Sequence, residues 1–522
     1  MQPLFINSIR KSRPNEFGWR QLILDRRDAY VGDVPTTVSQ ALINLIHISD
    51  THICDAQSPA RVEYLDRFAD PHHPASKIIG SLVGTYRAQE SMTTQVLESM
   101  IQSINRIERA PITKSKIDSV LITGDLTDNA QRNELDWFVA LIRGQKVRPD
   151  SGSRDNWEGA GGFIYSPYYW NPHGTPEGKS TDYPRDLYGY PTIPELMDAV
   201  RAPFFASGIK FHWLAVHGNH DALLQGTVAP DVQLSALATS ASKIVQLPDE
   251  IAFTALQNVT EVGPSSYPEV ENPEVIAITA DAERDFVYGN QWQNKFYHED
   301  EDNGITRETI RNNRKYWRHD YEKVTVLALD TVNPHGGWQG SIDEIQFEWL
   351  QHQLQQLRNR YVIITSHHPV QDLFNDYAPT GETPRVTGSL IEDLLIRERQ
   401  VIAWICGHTH RHRMAYFGPN SDRGFWQIET ASLIDWPQQG RIIEIFLDDM
   451  EQVWIASTPL NHSGSILPSP EHLRLDEVNE IAGLSRLLSL NDWQRRGGMF
   501  SIENNEGESF DRNSIVVLPK RI

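Results

Sequence analysis

The chain has 522 residues, more than a single hydrophobic core usually organises, so one elaborated catalytic domain or two to three domains are expected. With 39% hydrophobic and 22% charged residues it reads as globular, and no apolar run reaches the roughly 18–20 residues that a membrane span needs. A net charge of −21 weighs against nucleic acid and anionic membrane as partners, since phosphate-backbone binding depends on Lys and Arg, and two cysteines exclude a disulfide scaffold.

The N-terminal stretch MQPLFINSIRKSRPNEF has no apolar signal core and no small-residue cleavage site, which gives a cytoplasmic protein as the expectation. Residues 1–40 read as an arm. Short Val- and Ile-rich runs then follow at 41–49, 117–124, 211–218, 324–330, 361–366 and 401–407. Runs of this kind are buried strands. Between them, 95–108 and 344–360 place apolar residues three and four apart, the helical period. Strands alternating with helices predict an α/β layered fold. Two later runs, 441–447 and 453–457, have no helix between them and predict a hairpin at a sheet edge.

Residues 146–203 are rich in Gly, Pro, Trp and Tyr, and 224–320 mix Pro and acidic residues with weak periodicity. Both read as insertions in a catalytic domain spanning 41–460, because loops of that length are usually lids or small subdomains. The remainder, 461–522, reads as a C-terminal extension with one helix near 475–490 and a polar tail.

Five of the strand-like runs end in unusual polar turns. They are SDTH (Asp50, His52), TGDLTD (Asp125, Asp128), HGNHD (Asn219, His220, Asp221), SHHP (His367, His368) and CGHTH (His408, His410). In open α/β sheets ligands gather at the carboxyl ends of strands. If the runs share one sheet system, carboxylates, an amide and several imidazoles converge in one cleft. Such a mixture of oxygen and nitrogen donors suits Mn, Fe or Zn, and it exceeds what one tetrahedral ion uses. A lone Asp-x-His is ordinary, and a lone His beside a strand is usually a satisfied polar residue. Five such motifs, each following an apolar run, are not ordinary.

The set Asp-x-His, Gly-Asp, Gly-Asn-His-Asp, His-x-Pro and Gly-His-x-His resembles the calcineurin-like metallophosphoesterases. The stretches AQSPARVEYLDR, NPHGGWQGSID and DWPQQGR are similar to a bacterial branch of that superfamily. The resemblance implies a four-layer α-β-β-α sandwich with two divalent or trivalent metal ions at the strand ends. It implies Asp50, His52 and His410 on the first ion, Asn219, His367 and His408 on the second, and Asp125 bridging them. His220 matches the family's catalytic, non-ligating His, and Asp221 is expected to orient it.

The expected activity is phosphoester hydrolysis of a small substrate, a phosphodiester first and a monoester or nucleotide pyrophosphate second. A metal-bridging hydroxide would attack and His220 would act as general acid. A catalytically degenerate binding scaffold is the non-enzyme alternative, and it would have lost a ligand. Two family patterns are absent. Purple acid phosphatases carry Tyr where Asp128 stands, and protein Ser/Thr phosphatases carry Arg and Glu where Asn129 and Asp221 stand. His368 and His412 are read as flanking residues, His217 as structural, Trp338 as packing or a stacking surface, and Cys54 and Cys406 as small buried hydrophobes. Oligomeric state is not legible.

Overall fold

The computed structural model describes residues 7–522 except 27, 34, 36, 80–85, 163, 253–263, 265–266, 268–272, 300, 421–422, 467–471 and 496–500. Parts of the expected insertion at 224–320 and of the expected extension at 461–522 therefore lie outside the described residues.

Two sheets organise the chain. The strands used below are, in chain order, β1 (Val31–Gly32), β2 (Gln40–Ile48), β3 (Ser119–Thr123), β4 (Trp213–Val216), β5 (Trp317–Asp320), β6 (Val324–Ala328), β7 (Tyr361–Thr365), β8 (Val401–Cys406), β9 (Arg413–Asn420), β10 (Arg423–Glu429), β11 (Gln439–Leu447), β12 (Val453–Asn461) and β13 (Ser514–Leu518). The first sheet runs β1-β13-β12-β11-β2-β3-β4, with β2, β3 and β4 parallel. The second runs β5-β6-β7-β8-β10-β9, with β6, β7, β8 and β10 parallel.

The layers follow from which residues face which way. In β7, Ile363 joins the same core cluster as Leu45, Val120 and Leu214 of the first sheet, while Val362 and Ile364 join Leu350, Leu354, Ile391 and Leu395. Alternate residues of a strand face opposite sides, so the second sheet lies between the first sheet and the helices α3 (Glu344–Gln356) and α4 (Gly388–Arg397). The first sheet is covered by α1 (Thr93–Ile104) and α2 (Arg132–Ile142), whose Val96, Leu97, Met100, Leu135 and Phe138 are buried in the same core. This is the four-layer arrangement. On α1 the apolar side chains recur three and four apart, and each fully buried one contributes about 1.5–3 kcal/mol. The Asp343 carboxylate starts α3 by accepting from the Gln346 N–H.

The six expected strands are present within one or two residues of their expected limits. The hairpin β11–β12 also forms, but not at an edge. β11 pairs with β2, and β12 is covered by β13. The strand SIVVL at 514–518 is short and isolated in sequence, so it reads as tail until a partner strand is in place. The same terminal region supplies α5 (Val478–Leu490), which packs on α1.

Candidate metal centre

The polar turns after β2, β3, β4, β7 and β8 all leave the same ends of parallel strands and meet between the two sheets. His367 Nε2 lies 3.1 Å from Asp125 Oδ2 and 4.0 Å from Asp50 Oδ1. His410 Nε2 lies 3.4 Å from Asp50 Oδ1 and 3.2 Å from His52 Nε2. His52 Nε2 lies 3.7 Å from Asp125 Oδ2, and His408 Nδ1 lies 3.2 Å from His367 Nε2. Asp50, His52, Asp125, Asn219 and His367 are buried, while His220, His408 and His410 are half-buried and form the mouth.

The turns are tight enough to force unusual backbone. Asp50, His52, Asp125, His408 and His410 all have φ between 41° and 69°, the left-handed region. For residues with a Cβ this costs of order 1–2 kcal/mol each, and such outliers gather where geometry is functional.

Second contacts fix each imidazole. His367 Nδ1 donates to the Thr123 carbonyl at 2.8 Å, His52 Nδ1 to Asp128 Oδ1 at 3.0 Å, and His410 Nδ1 to Asp435 Oδ2 at 2.7 Å. A carbonyl or carboxylate oxygen only accepts, so the proton sits on Nδ1 and the Nε2 lone pair points inward. Three lone pairs therefore face carboxylate oxygens and one another in a buried cleft. Such an arrangement suits a cation. Asn219 makes the same point: its Nδ2 donates to the Gly226 carbonyl at 3.0 Å, while its buried Oδ1 has no hydrogen-bond partner. The donor set fits metal ions.

The electrostatics agree. Burial depresses His367 and His410, but the carboxylates outweigh it. Asp125 and Asp50 push His367 up to about 9, and Asp50 and Asp435 do the same for His410. Burial opposes ionisation of Asp125, yet His367, His220 and His52 hold it well below the usual carboxylate range. The field that would hold a second proton on Nε2 would hold a metal cation in its place, with the Nε2 lone pair then directed at the ion.

His220 stands beside this cluster. Its ring is 4.4 Å from that of His52, its backbone N–H donates to Asp125 Oδ1 at 2.9 Å, and its Nδ1 donates to the Asp128 carbonyl at 2.7 Å. Here the structure corrects one expectation. Asp221 does not orient His220. Its Oδ1 accepts from the N–H groups of Leu126 and Thr127 and its Oδ2 from that of Gly218, so it pins the two turns together. The residue that meets the His220 ring is Asp128. Burial, with the neighbouring His52, brings His220 down to about 4 against the opposing pull of Asp125 and Asp128.

Several residues escaped sequence reasoning. Asp435 holds His410 and is itself held by Arg87 at 2.8 Å. Arg61 is fully buried and joins Asp128 (2.6 Å), Glu90 (2.8 Å) and Glu63 (2.9 Å). The signal for Asp435 was present: it follows β10, the next parallel strand of the second sheet. Gly226, with φ 71°, lets its loop close over His220 and Asn219, where a Cβ would collide with the His220 ring and the Asn219 amide. His368 lies beside His367 and His408, with Nδ1 on the Thr331 hydroxyl (2.8 Å) and Nε2 on the Trp338 carbonyl (3.0 Å). His412 is tied to Arg441 and Gln439, and His217 to Asp330. Cys406 lies in the apolar core beneath the second sheet, but Cys54 does not match the apolar reading, since its Sγ accepts from Arg61 Nη1 at 2.8 Å.

Residues 186–412 match the family model described as calcineurin-like phosphoesterase. That span holds Asn219, His220, His367, His408 and His410; Asp50, His52 and Asp125 lie before it and join them through the fold. The match supports a metal-dependent phosphoesterase. Similar solved structures include a dimetal phosphatase from Danio rerio, at 12% identity and TM-score 0.36 over 81% of this chain and 100% of that one. Another is the Thermus thermophilus sulfate thiohydrolase SoxB in complex with glycerol, at 11% identity and TM-score 0.28 over 87% of this chain and 61% of that one. Both overlaps are loose. No curated protein matches the chain. Among the described residues no helix is long and apolar enough to cross a membrane.

Proposed function

We propose that the chain is a dinuclear phosphodiesterase acting on a small phosphoester. Asp50, His52 and His410 would hold one ion, Asn219, His367 and His408 a second, and Asp125 both. The observation that carries this reading is the convergence of three imidazole lone pairs, each with its Nδ1 proton committed elsewhere, on two buried carboxylates. Bound there, two cations would polarise a phosphoryl oxygen and acidify a water for attack on phosphorus.

The protein's own groups do the rest. Asp128, Asp435 and Thr123 keep the imidazoles in the binding tautomer. Asp221 locks the β3 and β4 turns in register. His220 is the proton-transfer group at the mouth. Its low proton affinity rises when a negatively charged phosphoester sits beside it, so it can protonate a departing alkoxide once substrate is bound.

The diester preference rests on how the nearby guanidinium groups are used. Phosphate dianions are commonly bound by Arg in bidentate fashion. Arg61 and Arg87 are committed to carboxylates, and Asn129 and Ala222 stand where a clamp could have been. A second reading, a phosphomonoesterase, is favoured by Arg411. It follows His410 directly, is half-buried, and its Nε has no hydrogen-bond partner.

The two are separated by kcat/KM for bis-(p-nitrophenyl) phosphate against p-nitrophenyl phosphate at one pH with one metal. The diester is expected to be hydrolysed at least as well. A monoester preference above roughly tenfold, about 1.4 kcal/mol of discrimination, abolished by Arg411→Met, would overturn the diesterase reading in favour of the second.

A further inference from the structure

A rigid wall beside the site presents aromatic side chains to solvent. Two segments build it, 332–340 and 372–377. Buried amides lace them together: Asn375 Nδ2 donates to the Gly336 carbonyl at 2.9 Å, and Asn333 Nδ2 donates to the Tyr377 carbonyl at 3.0 Å. The Asn375 N–H donates to the Gly340 carbonyl at 3.0 Å, and the Gly340 N–H to the Asp372 carbonyl at 2.9 Å. The Trp338 carbonyl is held by His368 at 3.0 Å.

On this wall the half-buried Trp338 ring lies parallel to the His408 imidazole, with centroids 5.8 Å apart and planes 19° from parallel. Phe374 stands perpendicular to Trp338 at 5.8 Å and is 41% exposed, and Tyr377 in the same segment is 40% exposed. Exposed Phe on a well-anchored loop loses the benefit of burial unless something covers it. The Trp338 ring meets both Phe374 and His408, a residue of the metal cluster. A partner protein could cover such a patch from outside, but a group covering this one would overhang the cleft itself.

Resting on the phosphoesterase reading, we propose that Trp338 and Phe374 form a stacking platform for a planar aromatic ring carried by the phosphoester. An aryl ester and a nucleobase share this chemistry.

The test is calorimetric binding to the metal-loaded protein of two matched pairs: phenylphosphonate against methylphosphonate, and AMP against ribose 5-phosphate. Each pair differs by one aromatic ring. Stacking of this kind is worth about tenfold in affinity per ring. The platform predicts that phenylphosphonate binds about tenfold more tightly than methylphosphonate. Phe374→Ala is expected to bring that ratio near one, and Phe374→Tyr to retain it. A parallel loss of the AMP advantage over ribose 5-phosphate assigns the ring to a nucleobase, and its absence assigns it to an aryl group. Equal binding within both pairs by the unmodified protein, or a preference that survives Phe374→Ala, overturns the platform. If none of the four ligands binds, the platform is overturned, and turnover of bis-(p-nitrophenyl) phosphate decides separately whether the phosphoesterase reading stands.

Discussion

At the scale of single residues, the cluster is built by giving each imidazole one outward and one inward task. Thr123, Asp128 and Asp435 take the outward protons, which leaves the inward lone pairs for a cation. Asp125 has the most to do. Its Oδ2 faces His367 at 3.1 Å and His52 at 3.7 Å, and its Oδ1 accepts the His220 N–H at 2.9 Å. Asp125→Asn keeps the shape and removes the charge that two ions would share. Metal analysis of that variant is expected to fall from about two ions per chain to below about one, more than for any other single carboxylate change. Stoichiometry that stays near two would remove Asp125 from the shared position.

At the scale of elements, the turns work because neighbouring backbones approach closely. Gly124, Gly218 and Gly407 each precede a candidate ligand, and each occupies a place where a Cβ has no room. An added methyl on Gly407 would overlap Ser49 Oγ and Asp50 Oδ2. Its φ is not in the left-handed region, so the requirement is purely steric. Gly407→Ala is therefore expected to push the β8 turn away from the β2 turn, separating His408 and His410 from Asp50. The expected result is a loss of about 1–3 kcal/mol in stability together with reduced metal content. A variant with normal metal content and unchanged melting would show that the two turns can part without harm.

At the scale of the whole molecule, burial of ionisable groups between the sheets couples folding to pH. His47 of β2 is fully buried, with its ring nitrogens on the Thr123 and Thr430 hydroxyls at 2.7 and 2.6 Å. Burial and the nearby Arg441 lower its pKa from 6.5 to about 3, against a weaker raising effect of Asp50. The unfolded chain therefore binds this proton more readily than the native one. The stabilisation is complete above pH 6.5 and is lost as pH falls from 6.5 towards 3, by about 1.4 kcal/mol per unit. For a chain of this size that is roughly 1 °C in Tm per unit. Melting curves of the wild type and His47→Gln between pH 7 and 4.5 should show a shallower acid decline in the variant. Identical slopes would mean that His47 does not charge on unfolding.

Much of the site was legible in the chain itself. The Val- and Ile-rich runs identify the core strands, because a parallel strand buried on both faces must be apolar throughout. The polar turns after them identify the candidate ligands, because donors placed after such strands can share one cleft. What the sequence lacks is distance. Asp435 lies 25 residues beyond His410 and meets it only because β10 runs parallel beside β8. Asp128 rather than Asp221 meets His220, since both Asp221 oxygens are taken by backbone N–H groups that only the packed β3 and β4 turns bring within reach. The strand β13 is invisible until β12 offers it an edge. Residue type and alternation are local properties and survive in one dimension. Tautomer, second contacts and the left-handed turns are set by what packs against each residue, and only the tertiary structure decides that.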